Sequence, residues 1–467
     1  MSQAPFKKVL FLAFYYPPLG GIGVQRTIKF IKYLPGLGYQ PFVVTFKHTR
    51  AVNLCSSYEN SSQETAQGIL EWRAKFDNPG KIFNSTFSRK FLGKFFGLES
   101  LDWIRIFLLQ ASSVIRSEKP DLIYASASPF WMAQVGQKIS SDHGIPWVLD
   151  MRDPWALDPL TCYTTYWHYK REISHMKRLC RSAQAVILNT PDALNAFRNN
   201  FPELPSNKSF CITNGWDEED FGSDIQGFTQ SEKSRQLTIA FTGTFMTDYA
   251  VTSDYSARII LGRKFRKLSD IFRYFPVPSN LLARTPYYLF QAVRRLLDSG
   301  AIHENDIKLV FAGATTLEDK RLVEMFQLES VVEFKDHLNH KDSVRLLLSA
   351  DCLFLPLHEP RNGASPLTVP GKTYEYLAAR KPILALVPHG DCRDFVQESG
   401  LGLICEPTDV EQIMQALMNL VKKQREGKLD FYPNDAFIDQ FRFRALTSRL
   451  TGIFDFAITQ YRERLPI

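Results

Sequence analysis

The sequence predicts an α/β protein built from two doubly wound parallel sheets in series, and three observations carry that expectation. Short apolar runs alternate with amphipathic helical stretches along most of the 467 residues. The alternation completes one set of strands and then starts again. At about 150 residues per domain, the length accommodates two or three domains with full cores. Continuous apolar strands separated by helices indicate parallel sheets covered on both faces.

In the first half Lys8–Phe14, Pro41–Phe46, Asp121–Ser126, Trp147–Asp150, Ala185–Asn189 and Phe210–Thr213 read as strands. Val24–Leu34, Phe130–Ser141 and Tyr166–Arg181 carry helical spacing between them. The second half repeats the pattern with strands at Leu237–Phe241, Lys308–Ala312, Val331–Phe334, Cys352–Leu357, Pro382–Val387 and Leu401–Cys405. Its helices are expected over 286–298, 341–349, 372–380 and 409–423, and the polar stretch Asp217–Ser234 is the expected junction. The domains are accordingly placed at 1–225 and 226–435. Apolar residues at helical spacing (Phe437, Phe441, Leu446, Leu450, Ile453, Phe454, Ile458) predict one terminal helix over Ala436–Tyr461. Residues 48–119 lack clear strands, and 245–284 separate a strand end from the next helix. Connections in such units usually take about 2–6 residues, so both stretches read as insertions.

Composition narrows the function classes. Apolar residues at 45% and charged residues at 22% exclude disorder, collagen and coiled coil. The net charge of +7 is concentrated. Residues 256–284 hold Arg258, Arg263, Lys264, Arg266, Lys267, Arg273 and Arg284 against Asp270 alone, leaving 49 basic and 48 acidic residues elsewhere. An electrically mixed surface does not suit a nucleic-acid partner. Seven scattered cysteines without a Cys-x-x-Cys pair argue against a zinc site or disulfide framework and favour a reducing compartment. The first residues run directly into a strand pattern, and no apolar run approaches about 18 residues. A cytoplasmic protein, peripheral to a membrane at most, is the expectation.

Two phosphate motifs fail. Gly21-x-Gly23-x-x-Arg26 follows the first strand, yet arginine replaces the third glycine of a dinucleotide fingerprint and no acid ends the second strand. Gly371-Lys372-Thr373 resembles a P-loop end, but Pro366 occupies the position of its first glycine. His337 and His340 have no evident third ligand, so no metal is expected.

Other segments carry chemistry. Tyr15-Tyr16-Pro17-Pro18-Leu19-Gly20-Gly21-Ile22-Gly23 joins a strand to a helix start, where glycines admit a ligand and free amides favour anions. It is either a ligand loop or a tight turn. Asp150-Met151-Arg152-Asp153-Pro154-Trp155 ends another strand, where open α/β sheets bind ligands; a structural Arg–Asp salt bridge is the alternative. Gly243 with Thr244, and Gly313, end strands of the second half. Lys372 and Glu375 share a face in the first turn of a helix. Glu375 there is either a helix-dipole partner or a grip on sugar hydroxyls.

Together these segments resemble the family-4-like retaining glycosyltransferases of the GT-B fold across nearly the whole chain. The resemblance rests on the Tyr-Tyr-Pro-Pro-x-Gly-Gly-x-Gly opening, on Asp-x-Arg-Asp-Pro-Trp and on Ile212-Thr213-Asn214-Gly215-Trp216-Asp217. It rests equally on Pro370-Gly371-Lys372-x-x-Glu375-Tyr376-Leu377-Ala378-Ala379 followed by Lys381-Pro382-Ile383-Leu384. It implies two Rossmann-like domains facing across a cleft, with the last helix (within 436–467) crossing back to the N-domain. It also implies transfer of a sugar from a nucleotide diphosphate-sugar co-substrate to a glycan or lipid-linked acceptor, without metal or resident cofactor. Cell-envelope polysaccharide or lipid-linked glycan synthesis is the usual setting.

By this resemblance Glu375 holds the donor ribose, and Gly20, Gly21, Ile22 and Gly23 face the diphosphate and acceptor. Gly243, Gly313, Gly371, Thr373 and the His337–Leu338 turn line the donor. The chain departs from the family at Leu367, where a glutamate is frequent, and at Thr244, where an arginine is frequent. Arg284, Lys372 or a residue of the 245–284 insertion is the candidate replacement for that arginine. Arg152 and Asp153 stand where a histidine is frequent, as candidates for charge stabilisation and acceptor positioning. The alternatives are a catalytically silent sugar-nucleotide-binding protein, and a nucleotide-sugar hydrolase or epimerase. Aromatic and basic residues interleave in 81–105 (Lys81, Arg89, Lys90, Lys94 and Arg105 among Phe83, Phe87, Phe91, Phe95, Phe96 and Trp103), as they do in 256–284. Both suit either an anionic membrane surface or ordinary packing and solvation.

Overall fold

A computed structural model of the chain describes residues 6–17, 19, 21–46, 70–74, 101–222, 236–262, 273–429 and 431–463. The apolar runs of the first half become strands β1 (Lys7–Ala13), β2 (Tyr39–Phe46), β3 (Leu70–Ala74), β4 (Leu122–Ser126), β5 (Trp147–Met151), β6 (Ala185–Leu188) and β7 (Ser209–Cys211). They pair in the order β3-β2-β1-β4-β5-β6-β7, all parallel. β1 is central, with Val9 beside both Pro41 and Leu122, and Val9 to Ala13 are buried. A strand covered on both faces needs this unbroken apolar sequence.

The second half forms a six-stranded sheet ordered β11-β10-β8-β12-β14-β15. Its members are β8 (Leu237–Thr242), β10 (Ile307–Ala312), β11 (Val332–Lys335), β12 (Cys352–Pro356), β14 (Ile383–Leu386) and β15 (Gly402–Cys405). A small antiparallel pair joins β9 (Ser279–Asn280) to β13 (Glu359–Pro360). Both halves are thus doubly wound α/β sheets.

The chain divides into unit 1 (Met1–Asn214, Phe272–Pro276 and Phe443–Ile467) and unit 2 (Gly215–Ile271 and Val277–Arg442). The change of unit at Asn214–Gly215 precedes the expected boundary at 225/226. The cause is Trp216, buried in the second unit's core with Ile438 and Phe441. Its indole donates to the Ile438 carbonyl (3.1 Å) and its amide to the Phe441 carbonyl (3.0 Å).

Those bonds also correct the terminal helix. Instead of one helix over 436–461, a short helix Asp435–Asp439 stops, and a second runs from Phe443 to Arg462. The carbonyls that would continue the first helix bond to Trp216. The second helix belongs to unit 1, its Phe454 ring packing on Tyr39 (5.6 Å) and Tyr124 (5.7 Å).

The insertions hold more structure than their sequence pattern suggests. The 48–119 stretch contributes strand β3 and helix Leu101–Glu118. The 245–284 stretch contributes helices Thr247–Ser253 and Tyr255–Ile260 and a tight turn at Leu281–Arg284. The parts of 81–105 before Leu101, and Arg263, Lys264, Arg266 and Lys267 of the basic stretch, lie outside the described residues. Trp103 packs inward, on Phe46 (4.4 Å) and Phe14 (5.8 Å). Tyr274 pairs in antiparallel fashion with Tyr163 (2.8 and 2.9 Å) and packs on Tyr166 and Tyr169 (5.1 and 5.0 Å), all within unit 1.

Candidate functional site

In unit 2 the strand ends form one cluster. The Thr242 amide donates to the Tyr376 hydroxyl (3.2 Å), tying helix Gly371–Ala379 to the end of β8. Gly243 follows at φ +113 and donates its amide to the Ala312 carbonyl (2.8 Å). A Cβ on Gly313 would stand 2.2 Å from the Gly243 oxygen, and one on Gly243 would stand 2.9 Å from Lys372 Nζ. Close approach and left-handed backbone therefore both demand glycine here. The structure brings Gly243, Gly313 and Lys372 together.

Lys372 is partly buried, and its Nζ lies 3.4 Å from the centroid of the Phe241 ring, a cation–π contact. Burial first, and then the charge of Arg284, pull its pKa well below the usual lysine value, with Glu375 opposing. No carboxylate lies within ion-pair distance of Lys372 among the described residues. The helix opens after Pro370 at Gly371 without a side-chain cap, leaving first-turn amides to meet an anion.

The remaining donor candidates have distinct places. Glu375 is partly exposed, 3.9 Å from His340 Nδ1, whose Nε2 lies 3.2 Å from Asp220. Thr373 is buried with its hydroxyl 3.8 Å from the Cys392 sulfur. Thr244 is exposed beside Gly243, and His337 is exposed before helix His340–Ser349. Of the basic stretch, Arg258 caps its own neighbourhood, donating to the carbonyls of Val251 (3.0 Å) and Thr252 (3.1 Å). Arg284 instead directs its charge at Lys372 and at His358. His358 carries no sequence signal, sitting unmarked after an apolar strand, yet it is fully buried with neither ring nitrogen hydrogen-bonded.

In unit 1, Gly21 at φ +102 starts helix Ile22–Tyr33, again without a side-chain cap. Gly20 lies outside the described residues. A Cβ on Gly23 would fall 1.9 Å from Arg152 Nη1, so the guanidinium rests on the first helical turn. It also faces the Tyr15 ring at 5.5 Å, and Nη1 is buried without a hydrogen-bond partner. Arg152 makes no ion pair with its neighbour Asp153, which is half-buried.

The salt bridge that the Asp-x-Arg-Asp segment suggested is made by Asp150 with Arg26. Arg26 Nε and Nη2 meet the Asp150 carboxylate at 2.7 and 3.1 Å, and Tyr124 donates to the same group. Arg26 also donates to the carbonyls of Thr213 (2.7 Å) and Ile212 (2.9 Å). Burial alone would lower the Arg26 pKa, but the Asp150 carboxylate more than reverses this and raises it. The residue that spoiled the dinucleotide fingerprint thus joins the first helix, β5 and the Ile212–Asn214 segment.

Comparison with known proteins bears on both units. Residues 283–423 match the family described as glycosyl transferases group 1. No curated protein matches by sequence. Among solved structures, a sucrose-phosphate synthase from Thermosynechococcus elongatus aligns at TM-score 0.60 and 13% identity, covering 97% of this chain and 100% of that one. Anabaena HepE, solved in complex with UDP-glucose, aligns at 0.56 and 14%, covering 96% and 99%. A UDP-GlcNAc 2-epimerase from Methanocaldococcus jannaschii aligns at 0.51 and 11%, covering 97% and 100%. Such identities establish the fold, which is GT-B, while residues 283–423 of unit 2 are similar to a glycosyltransferase family.

Proposed function

We propose that this protein transfers a sugar, with retained anomeric configuration, from a nucleoside diphosphate-sugar to an acceptor hydroxyl in glycan or lipid-linked glycan synthesis. The observation that carries this reading is Lys372, a cation over the Phe241 ring at an uncapped helix start beside two obligatory glycines. A departing diphosphate needs that combination of amides, cation and close backbone approach. As the bond from the anomeric carbon to the diphosphate oxygen breaks, its electron pair stays with the diphosphate, stabilised by Lys372 and the Gly371 and Lys372 amides, while the acceptor oxygen bonds to that carbon and gives up its proton to the diphosphate. Glu375 holds the ribose, and Arg284 supplies the positive charge missing at Thr244. In unit 1, Arg152 has an unsatisfied donor for an anionic or hydroxyl group, and Asp153 positions the acceptor.

Fixed cations and dipoles make a metal unnecessary, so EDTA is expected to leave turnover unchanged. A panel of nucleotide sugars tested for turnover with and without acceptor checks the reading. Sugar transfer supports it. Binding without turnover would favour a silent binding protein, which Leu367 in place of the family's glutamate recommends, and free sugar or epimer would replace transfer with hydrolysis or epimerisation. Association with anionic membrane through 81–105 and 256–284 is part of the same reading, and absence of flotation with anionic liposomes would remove it.

A further inference from the structure

Helix Tyr166–Ser182 of unit 1 starts at a cap, the Thr165 hydroxyl accepting from the His168 amide at 3.1 Å. Its two sides differ sharply. Met176, Leu179 and Cys180 are buried and fix the inward side. The exposed positions beyond Tyr166 are Trp167, Lys170, Arg171, Ser174, Arg178 and Arg181. At about 100° per residue these six fall within about 100° of arc, opposite the buried side, along about 21 Å of axis. The ridge so formed holds four cations and no carboxylate. Two carboxylates stand off it: Glu172, half-buried under the Trp155 indole (3.3 Å), reaches Arg171 at 3.5 Å, and Glu203 pairs with the flanking Lys177 at 2.6 Å. A merely solvated face mixes both signs, whereas a ridge of one sign attracts an anionic partner.

The head of the ridge is aromatic. Trp167 is 80% exposed and Tyr166 is 44% exposed. Their base is braced: Tyr166 and Tyr169 pack on the Tyr274 ring at 5.1 and 5.0 Å, and the Tyr274 backbone pairs with Tyr163. Lys170 Nζ stands 5.4 Å from the centroid of the Tyr166 ring, so cation and aromatic groups adjoin. Indole and phenol rings favour the boundary between water and an apolar phase, where one end is wet and the other is not.

We propose that this face of helix Tyr166–Ser182 docks on an anionic lipid bilayer. Trp167 and Tyr166 enter the headgroup level, and Lys170, Arg171, Arg178 and Arg181 lie over lipid phosphates. Shape favours a bilayer over a single-stranded polyanion, because a convex ridge meets a plane whereas a strand is held in a groove. The proposal rests on the membrane part of the reading above and gives that contact a surface outside 81–105 and 256–284. It does not depend on how unit 2 binds its donor.

Flotation of the full chain with vesicles of phosphatidylcholine, with and without about one-third phosphatidylglycerol, tests this. The native protein should float with the anionic vesicles alone, and less so as salt rises. Replacing Lys170, Arg171, Arg178 and Arg181 together by Gln should weaken binding more than about a hundredfold, since each cation near such a surface contributes about fivefold. The charge-preserving set Lys170→Arg, Arg171→Lys, Arg178→Lys and Arg181→Lys should float like the native protein. Trp167→Ser should weaken binding several-fold with unchanged melting, because its ring is outside the core. Undiminished flotation of the four-glutamine variant would overturn the inference and return the membrane contact to 81–105 or 256–284. Binding to polyuridylic acid but not to vesicles, lost in the same variant, would overturn it in favour of a polyanion. Failure of the native protein to float would overturn both this inference and the membrane reading, whereas turnover of a nucleotide sugar by the same preparation would show that sugar transfer stands apart.

Discussion

The two units solve one local problem differently. Each must hold a glycine-lined strand end against a helix start. Unit 1 does so with charge: Arg26, buried with Asp150 and Tyr124, reaches the carbonyls of Ile212 and Thr213, and a second cation, Arg152, rests on Gly23. Unit 2 does so with neutral contacts, the Tyr376 hydroxyl on the Thr242 amide and the Gly313–Gly243 approach. Its cation, Lys372, lies over the Phe241 ring of β8 instead of joining an ion pair with a carboxylate among the described residues. A scaffold assembled without an ion pair leaves its cation available to a ligand, whereas one assembled around an ion pair needs an additional cation for that purpose.

The contrast can be broken at several points. Arg26→Met leaves Asp150 buried and unpaired, and should cost about 3–5 kcal/mol by chemical denaturation. A loss well under half of that would mean unit 1 does not depend on the pair. Gly313→Ala forces a side chain onto the Gly243 carbonyl at a left-handed φ of +146, and about 2–4 kcal/mol of stability should disappear. A stable variant with unchanged melting would show that the two loops are free to part.

Glu375→Ala should weaken nucleotide binding tenfold or more, about 1.4 kcal/mol, without a comparable loss of stability. Unchanged binding in a calorimetric titration would remove Glu375 from the site. Tyr376→Phe should cost only about 1 kcal/mol, because one neutral hydrogen bond is lost. A cost as large as that of Arg26→Met would erase the distinction between the units.

How far these features were legible in the sequence depends on the distance over which each is decided. The apolar strands and the Gly371–Ala379 helix start were visible because their pattern is local. Strand β3 was not, since Leu-Glu-Trp-Arg-Ala is a mixed sequence at the sheet edge, paired on one side with β2. The break in the terminal helix was hidden for another reason: its cause, Trp216, lies more than two hundred positions away. Arg26 looked like a failed motif because its partners, Asp150 and the carbonyls near Ile212, come together only in three dimensions. Helix Leu317–Phe326 did carry a local signal, the Thr316–Asp319 capping box, which spacing arguments about strands passed over.

The pairing of Tyr274 with Tyr163 has a consequence for dissection of the protein. The polypeptide leaves unit 2, lays one short stretch on unit 1, and returns. Cutting the gene at 214 and 442 would therefore not yield a clean half: the excised fragment would carry Tyr274 stripped of Tyr163, Tyr166 and Tyr169, and the other half would lose a strand partner. A separable unit 2 requires Phe272–Pro276 to be replaced by a polar bridge, and the effort needed to do so measures how much the protein relies on being continuous.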